Sequence, residues 1–230
     1  MKIFGIDVSR HNGLIDWQKV AAAGVKFAMI RAGFGSSLAN KDIYADYNFK
    51  NAAAAGIETG AYWFSYALSE EGARREAQNL MEAVSPYRLT YPLCFDYEYD
   101  SIRYAISQNS PVGPAIATSY ANVFLSELEE NKFYAMNYSN KYFLQEYFNM
   151  NVLKKYDLWY ALWGDSLDRS DAGIWQFSAT GRVDGISGDV DLDYAFRDYP
   201  EIMQNNGLNG FSKPIPHWAQ GAYDLSLIHI

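Results

Sequence analysis

Leu93-Cys94-Phe95-Asp96-Tyr97-Glu98 is the stretch on which the fold turns. A strand sends alternate side chains to opposite faces. Leu93, Phe95 and Tyr97 therefore share one face, and Cys94, Asp96 and Glu98 share the other. The first face is wholly apolar and needs cover. A strand covered by helices on its outside aims its other face at the interior of a barrel, and here that face ends in two acids.

Working outward, similar short runs recur at Ile3–Val8, Phe27–Ala32, Thr59–Tyr66, Phe133–Tyr138, Leu158–Trp163, Gly173–Phe177 and Val190–Asp193. Each is short, rich in β-branched or aromatic residues, and bounded by turn residues. Helical patterns fill the early gaps, at Asp16–Ala23, Ile43–Ala55, Ser69–Val84, Pro114–Glu130 and Asn140–Tyr156. Gly56 suits a helix end, Ser69 an N-cap, and Pro114 a first helical position. Strands alternating with helices imply parallel pairing through right-handed crossovers. After Trp163 the helices stop, and Gly/Ser/Asp loops join the last strands. The expected fold class is α/β: a modified (β/α) barrel of the TIM type, with five regular βα units and an irregular last third. A doubly wound open sheet is the alternative.

Composition excludes several classes of partner. The 230 residues are 49% hydrophobic and 20% charged, which is enough for a core. The single cysteine, Cys94, rules out a disulfide framework, and the three histidines share no ligand-like spacing, so no metal and no cofactor is expected. A net charge of -8 argues against nucleic acid. No apolar stretch is long enough to span a membrane, and Met1–Asp7 lacks the pattern of a signal peptide. Tyrosine, phenylalanine and tryptophan make up 17% of the chain, a composition that suits both a core and a cleft that stacks on sugar rings.

In such a barrel the site lies at the C-terminal ends of the strands. The sequence puts Asp7, Arg31, Tyr62, Phe64, Asp96, Glu98, Tyr138, Trp163, Trp175, Gln176, Asp191 and Asp193 there. Asp96 and Glu98 lead. Two neighbouring carboxyls facing inward lose solvation, and each raises the other's pKa. One then holds a proton near neutral pH while the other stays ionised, which is the division of labour that glycoside hydrolysis requires. Arg31 reads equally as a substrate contact and as an ion-pair partner of Asp7 or of an acid on the last strand.

Together, several segments resemble the glycoside hydrolase family 25 lysozymes. They are Gly5-Ile6-Asp7-Val8-Ser9-Arg10-His11-Asn12-Gly13, Ile15-Asp16-Trp17, Gly60-Ala61-Tyr62-Trp63-Phe64-Ser65, Phe95-Asp96-Tyr97-Glu98, Tyr138-Ser139-Asn140, Leu158-Trp159-Tyr160-Ala161, Trp175-Gln176-Phe177, Val183-Asp184-Gly185-Ile186 and Val190-Asp191-Leu192-Asp193. The resemblance spans about residues 3–200 and implies cleavage of the β-1,4 bond between N-acetylmuramic acid and N-acetylglucosamine in bacterial peptidoglycan. It implies Glu98 as general acid, Asp96 as its partner, and Asp7 with Asp191 as supporting acids. Asp191 is preferred to Asp189 and Asp193 because it follows Val190. Tyr62, Phe64, Arg31, Tyr138, Trp163, Trp175 and Gln176 are the expected substrate contacts. The expected mechanism is substrate-assisted, with the N-acetyl group of the sugar as nucleophile. The competing readings are a chitinase-like enzyme, which the missing acid ladder on strand four disfavours, and a non-catalytic barrel binding N-acetylated glycans.

The sequence divides into a catalytic barrel over 1–200 and a tail over 201–230. Residues 201–212 read as a linker, and Pro214–Asp224 as the opening of a wall-binding module cut short at residue 230. The protein is expected to act as a monomer on the wall, secreted or released to it. Gly33-Phe34-Gly35 is half of a dinucleotide fingerprint and is discarded. Ser9 with His11 is discarded as a nucleophile pair for want of an orienting acid.

Overall fold

Strand β1, Ile3–Val8, pairs in parallel with β2, Phe27–Phe34, and the series continues through β3, Glu58–Phe64, β4, Leu93–Asp96, β5, Ala135–Asn140, β6, Asp157–Ala161, and β7, Ala172–Gly181. The last strand, β8, Val190–Ala195, runs antiparallel to both β7 and β1 and closes the barrel. These relations come from a computed structural model, which describes residues 1–211. The sheet is a closed barrel, and the open-sheet alternative falls.

Helices α1, Trp17–Ala22, α2, Ala45–Ala54, and α3, Glu70–Val84, follow the first three strands. Between β4 and β5 stand α4, Tyr99–Ser107, and α5, Pro114–Glu130; between β5 and β6 stand α6, Lys141–Glu146, and α7, Met150–Leu153. No described helix is long and apolar enough to cross a membrane. Among the departures from the sequence reading, three have a clear physical cause. Strand β4 stops at Asp96, because Glu98 becomes the N-cap of α4, its N–H donating to Ser101 Oγ at 3.0 Å. The helix expected over 140–156 breaks into α6 and α7, because the Asn149 N–H donates to Thr118 Oγ1 of α5 at 2.9 Å. The expected linker is not a linker through residue 211. Helix α8, Tyr199–Asn206, buries Tyr199 and Met203 against the base of the barrel, and Asn209 Nδ2 donates to the Leu89 and Tyr91 carbonyls. The expected opening of a module at Pro214–Asp224 lies outside the described residues.

The alternation read in Leu93–Glu98 is realised. Phe95 and Tyr97 stack outside the barrel with ring centroids 5.8 Å apart, and Phe124 of α5 packs on Phe95. Inside, Phe27, Met29, Cys94, Met136 and Ile174 form an apolar floor. Gly5 is required there because a Cβ would collide with the Phe27 ring. Above the floor the inward positions turn polar. Register sets them at one level: Phe64 opposite Asp96, Asp96 opposite Tyr138, and Asp7 opposite Asp191.

Candidate active site

The mouth of the barrel holds a cavity of about 280 Å³. Its lining is Asp7, Ser9, His11, Arg31, Tyr62, Phe64, Asp96, Glu98, Tyr138, Trp159, Trp163, Gln176 and Asp191. A larger depression of about 650 Å³ lies at the opposite end, around Lys132, Lys155 and Asp157. Its buried carboxyl is committed to the Tyr134 and Tyr199 hydroxyls and to Arg197, and it gathers no convergent set of acids.

Asp96 ends β4, and Glu98 enters α4 in an extended conformation, so both side chains face the cavity while Tyr97 between them points outward. Their carboxyls are close enough to perturb each other, and Asp96 Oδ1 has no hydrogen-bond partner. Two acids so placed, one buried and one half-buried, do not both ionise at neutral pH. Burial, and then the neighbouring Glu98, push the Asp96 carboxyl well above the usual range, with Arg31 opposing. Burial pushes Glu98 up to about 6, and the neighbouring Asp96 carboxyl holds it from rising further. The N-terminus of α4 adjoins Glu98 and favours its anion. Near neutral pH the pair therefore carries one proton, placed first on Asp96 and transferable to Glu98.

Three more acids stand across the cavity on β1 and β8. Burial, then Asp191 and Asp193, raise Asp7 well above its ordinary value. Burial raises Asp191 to about 6 and Asp193 to about 8. Asp193 lies beneath the cavity, fully buried, and accepts from Trp159 Nε1 at 2.7 Å. Asp189 pairs with Arg182 at the surface. Of the three aspartates around Val190, Asp191 is the one that lines the cavity. Gln176 organises this side. Its Nε2 donates to Asp7 Oδ2 at 2.8 Å, and its Oε1 accepts from Tyr138 OH at 3.3 Å and Trp163 Nε1 at 3.2 Å.

Ten of the eleven expected site residues converge here. Trp175 does not: Gln176 faces inward, so its strand neighbour faces out, donating from Nε1 to the Leu162 carbonyl at 2.7 Å and packing beside Tyr194. Arg31 lines the cavity, but its ion-pair partner is Asp42, reached at 2.8 Å, and not Asp7 or an acid of β8. Asp42 also accepts the Arg10 and Tyr44 N–H groups, so the pair ties the β2–α2 connection to the mouth. Sequence reasoning missed Ser9, His11 and Trp159 as lining residues. For the first two the signal was the two-residue period Asp7-Ser9-His11, which carries the inward face of β1 past its end. Ser9 Oγ accepts the His11 N–H and caps a short 3₁₀ turn, a structural use of that hydroxyl.

The model of the glycosyl hydrolases family 25 matches residues 6–186. The chain is 30% identical to lysozyme M1 of Streptomyces globisporus over 197 residues, covering 81% of this chain and 65% of that one. It is 28% identical to the autolytic lysozyme of Clostridium acetobutylicum over 193 residues, 82% of this chain and 54% of that one. The chain thus spans less than two thirds of the length of these curated relatives. In structure it resembles the modular autolysin LytC of Streptococcus pneumoniae, with a TM-score of 0.73 and 25% identity over 85% of this chain and 47% of that one. A match over most of the barrel, on a mouth built around paired acids, establishes that the chain belongs to the glycosyl hydrolases family 25.

Proposed function

We propose that the chain is an N-acetylmuramidase, a lysozyme that hydrolyses the β-1,4 bond between N-acetylmuramic acid and N-acetylglucosamine in bacterial peptidoglycan. The observation that carries this reading is the Asp96–Glu98 pair lining the barrel mouth, facing the acids of β1 and β8. Family membership and the lysozyme relatives support it, and LytC has also been solved in complex with a synthetic peptidoglycan ligand.

Glu98 is the general acid. It takes the single proton of the pair from Asp96 and gives it to the glycosidic oxygen as the C1–O bond breaks. The acetamido carbonyl oxygen of the same sugar attacks C1 and forms an oxazolinium ring. Asp96, having passed its proton to Glu98, accepts the hydrogen bond of the acetamido N–H and offsets the positive charge on that ring. Glu98, now a carboxylate, takes a proton from water, which adds to C1 and opens the ring with net retention. Asp7 and Asp191 supply negative potential on the opposite side, where positive charge develops at the sugar. Tyr62, Phe64, Tyr138, Trp163 and Gln176 contact the sugars, and Arg31 does so through the hydrogen-bonding capacity Asp42 leaves free.

Clearing of a bacterial wall suspension tests the activity, with Glu98→Gln as control. Wild-type clearing absent from the variant is the expected result. Wall binding without clearing would leave a non-catalytic sugar-binding barrel, and cleavage of chitin oligosaccharides in preference to walls would leave the chitinase-like one. Initial release of the inverted anomer would exclude the substrate-assisted route.

A further inference from the structure

A second cavity, of about 400 Å³, begins where the catalytic one ends. Trp163 lines both. Its side chain is 66% exposed, more than any other aromatic residue among those described, yet it is held in place. The indole Nε1 donates to Gln176 Oε1 inside the catalytic cavity. The backbone on either side is bonded to β7, Leu162 N to the Gln176 carbonyl at 3.1 Å and Gly164 N to the Phe177 carbonyl at 3.0 Å. An exposed ring with a fixed polar tip offers a flat apolar face at little entropic cost, which is what stacking on a sugar demands.

Beyond Trp163 the cavity is lined by Phe177 and Leu192, with Ser178, Thr180 and Asp165 beside them. Phe177 and Leu192 lie on β7 and β8, where β6 passes to β7 and β7 to β8 without a helix, so the outer face of the sheet stays open. Phe177 is backed by Tyr194, stacked with centroids 4.5 Å apart. Two hydroxyls, one carboxylate and an apolar wall match the hydroxyls and the ring faces of a pyranose. None of the residues lining this cavity is basic, so the carboxylates of a stem peptide would find no partner there. The catalytic cavity, at about 280 Å³, lies at the lower edge of the ~300–1,000 Å³ of small-molecule sites, so a polymer must continue outside it.

We propose that the cavity past Trp163 is a distal subsite that takes a further sugar of the same glycan strand, with the Trp163 ring as the wall shared between it and the acids. This rests on the muramidase reading above. The cleft then crosses the rim of the barrel between β6 and β7 and runs onto the outer face of the β7–β8 pair, so the subsite favours long strands over short ones.

The test compares a peptide-free tetrasaccharide and a peptide-free octasaccharide of alternating N-acetylglucosamine and N-acetylmuramic acid. Ala179→Arg fills the second cavity from β7, and Asp165→Ala, on the exposed loop after β6, removes its carboxylate without touching the barrel. Wild type is expected to cleave the octasaccharide with kcat/KM about tenfold above the tetrasaccharide. Both variants should erase most of that advantage through KM, with the tetrasaccharide as unchanged reference. In a Glu98→Gln background, octasaccharide binding measured by calorimetry should weaken by a similar factor when Ala179→Arg is added. This binding arm reads the subsite even if hydrolysis fails, so a failed muramidase reading and a failed subsite remain distinguishable. An equal effect on both lengths, or none on either, overturns the proposal. An effect confined to strands that carry stem peptides overturns it too, by making the peptide the occupant.

Discussion

Replacing Glu76 by glutamine should flatten the pH dependence of stability. Glu76 sits in the middle of α3 with no exposed surface, behind the β3–α3 connection. Its Oε1 accepts the Tyr66 N–H at 3.0 Å, and Oε2 has no hydrogen-bond partner. Burial outweighs the lowering effect of the Tyr66 N–H and the nearby Ser65 side chain and pushes the carboxyl up to about 7 from its ordinary 4.5. The folded state therefore keeps this proton up to about pH 7, while the unfolded chain loses it near 4.5. Where the native state binds more protons, stability falls as pH rises. At 1.36 kcal/mol per tenfold change in proton affinity, Glu76 takes ~3 kcal/mol from the native state between pH 4.5 and 8. Glu76→Gln keeps the acceptor for Tyr66 and cannot ionise. Urea midpoints of the two proteins should be close at pH 4.5, and the variant should be ~3 kcal/mol more stable at pH 8, with the m-value unchanged. A difference that stays constant from pH 4.5 to 8 would refute the argument, because a purely steric effect of the amide has no reason to titrate. The site would feel the outcome, since Ser65 N donates to the Asp96 carbonyl at 2.8 Å.

Glu98 at about 6, beside an Asp96 that holds its proton to higher pH, should make hydrolysis weaken on the acid side. Below pH 6 a second proton occupies Glu98, Asp96 can no longer pass its own, and kcat on a soluble glycan should fall about tenfold per pH unit. A profile that stays flat from pH 7 down to pH 4.5 would remove the proton transfer from Asp96 to Glu98. Gln176→Leu strips Asp7 of its donor and Tyr138 and Trp163 of their acceptor, so kcat should drop by about 10²-fold, with a stability loss of ~1–3 kcal/mol in urea. Wild-type kcat in that variant would deny Gln176 its organising role. Gly185 sits at a φ of 97°, where a Cβ would run into the Asp16 carbonyl and lie 3.0 Å from Lys19 Cβ. Gly185→Ala should therefore cost ~1–3 kcal/mol in thermal or urea unfolding and lower kcat by shifting the hairpin that leads to Asp191. Wild-type unfolding would show that the hairpin adapts.

Much of this was legible because strands buried on both faces announce themselves. Ile3–Val8 needs its apolar run whatever packs on it, and its bounds match the reading at both ends. Pro114 marks the start of α5 for a local reason, a missing N–H in the first turn, and that helix also ends where expected. The failures are tertiary. Tyr142, Phe143, Tyr147 and Phe148 fill a helical template without a gap, and only the Thr118 hydroxyl from α5, bonded to Asn149, says where the helix breaks. The Asn-Gly character of residues 205–210 reads as a linker, yet Asn209 is buried and its side chain bonds the backbone of Leu89, Tyr91 and Tyr134. In the site, Trp175 and Gln176 were both selected although neighbours on a strand cannot both face inward. Strict alternation would have kept Gln176 alone.

The irregular last third of the barrel gives the mouth its second set of acids. In a regular barrel all eight strands bring their C-terminal ends to the catalytic rim. Here β8 runs backwards, so the rim receives its beginning, and Asp191, the second residue of the strand, lies opposite Asp7. A parallel β8 would carry the same aspartate to the base, where Asp157 already occupies a cage of tyrosines and arginine. The reversal requires a hairpin between β7 and β8 in place of a helix, and that hairpin is pinned at the mouth by Asp16 N donating to the Gly185 carbonyl at 2.9 Å. The same lack of a helix leaves Phe177 and Leu192 free to line the cavity beyond Trp163. One topological departure thus places the acids opposite the proton-sharing pair and opens the outer face along which a long substrate can lie.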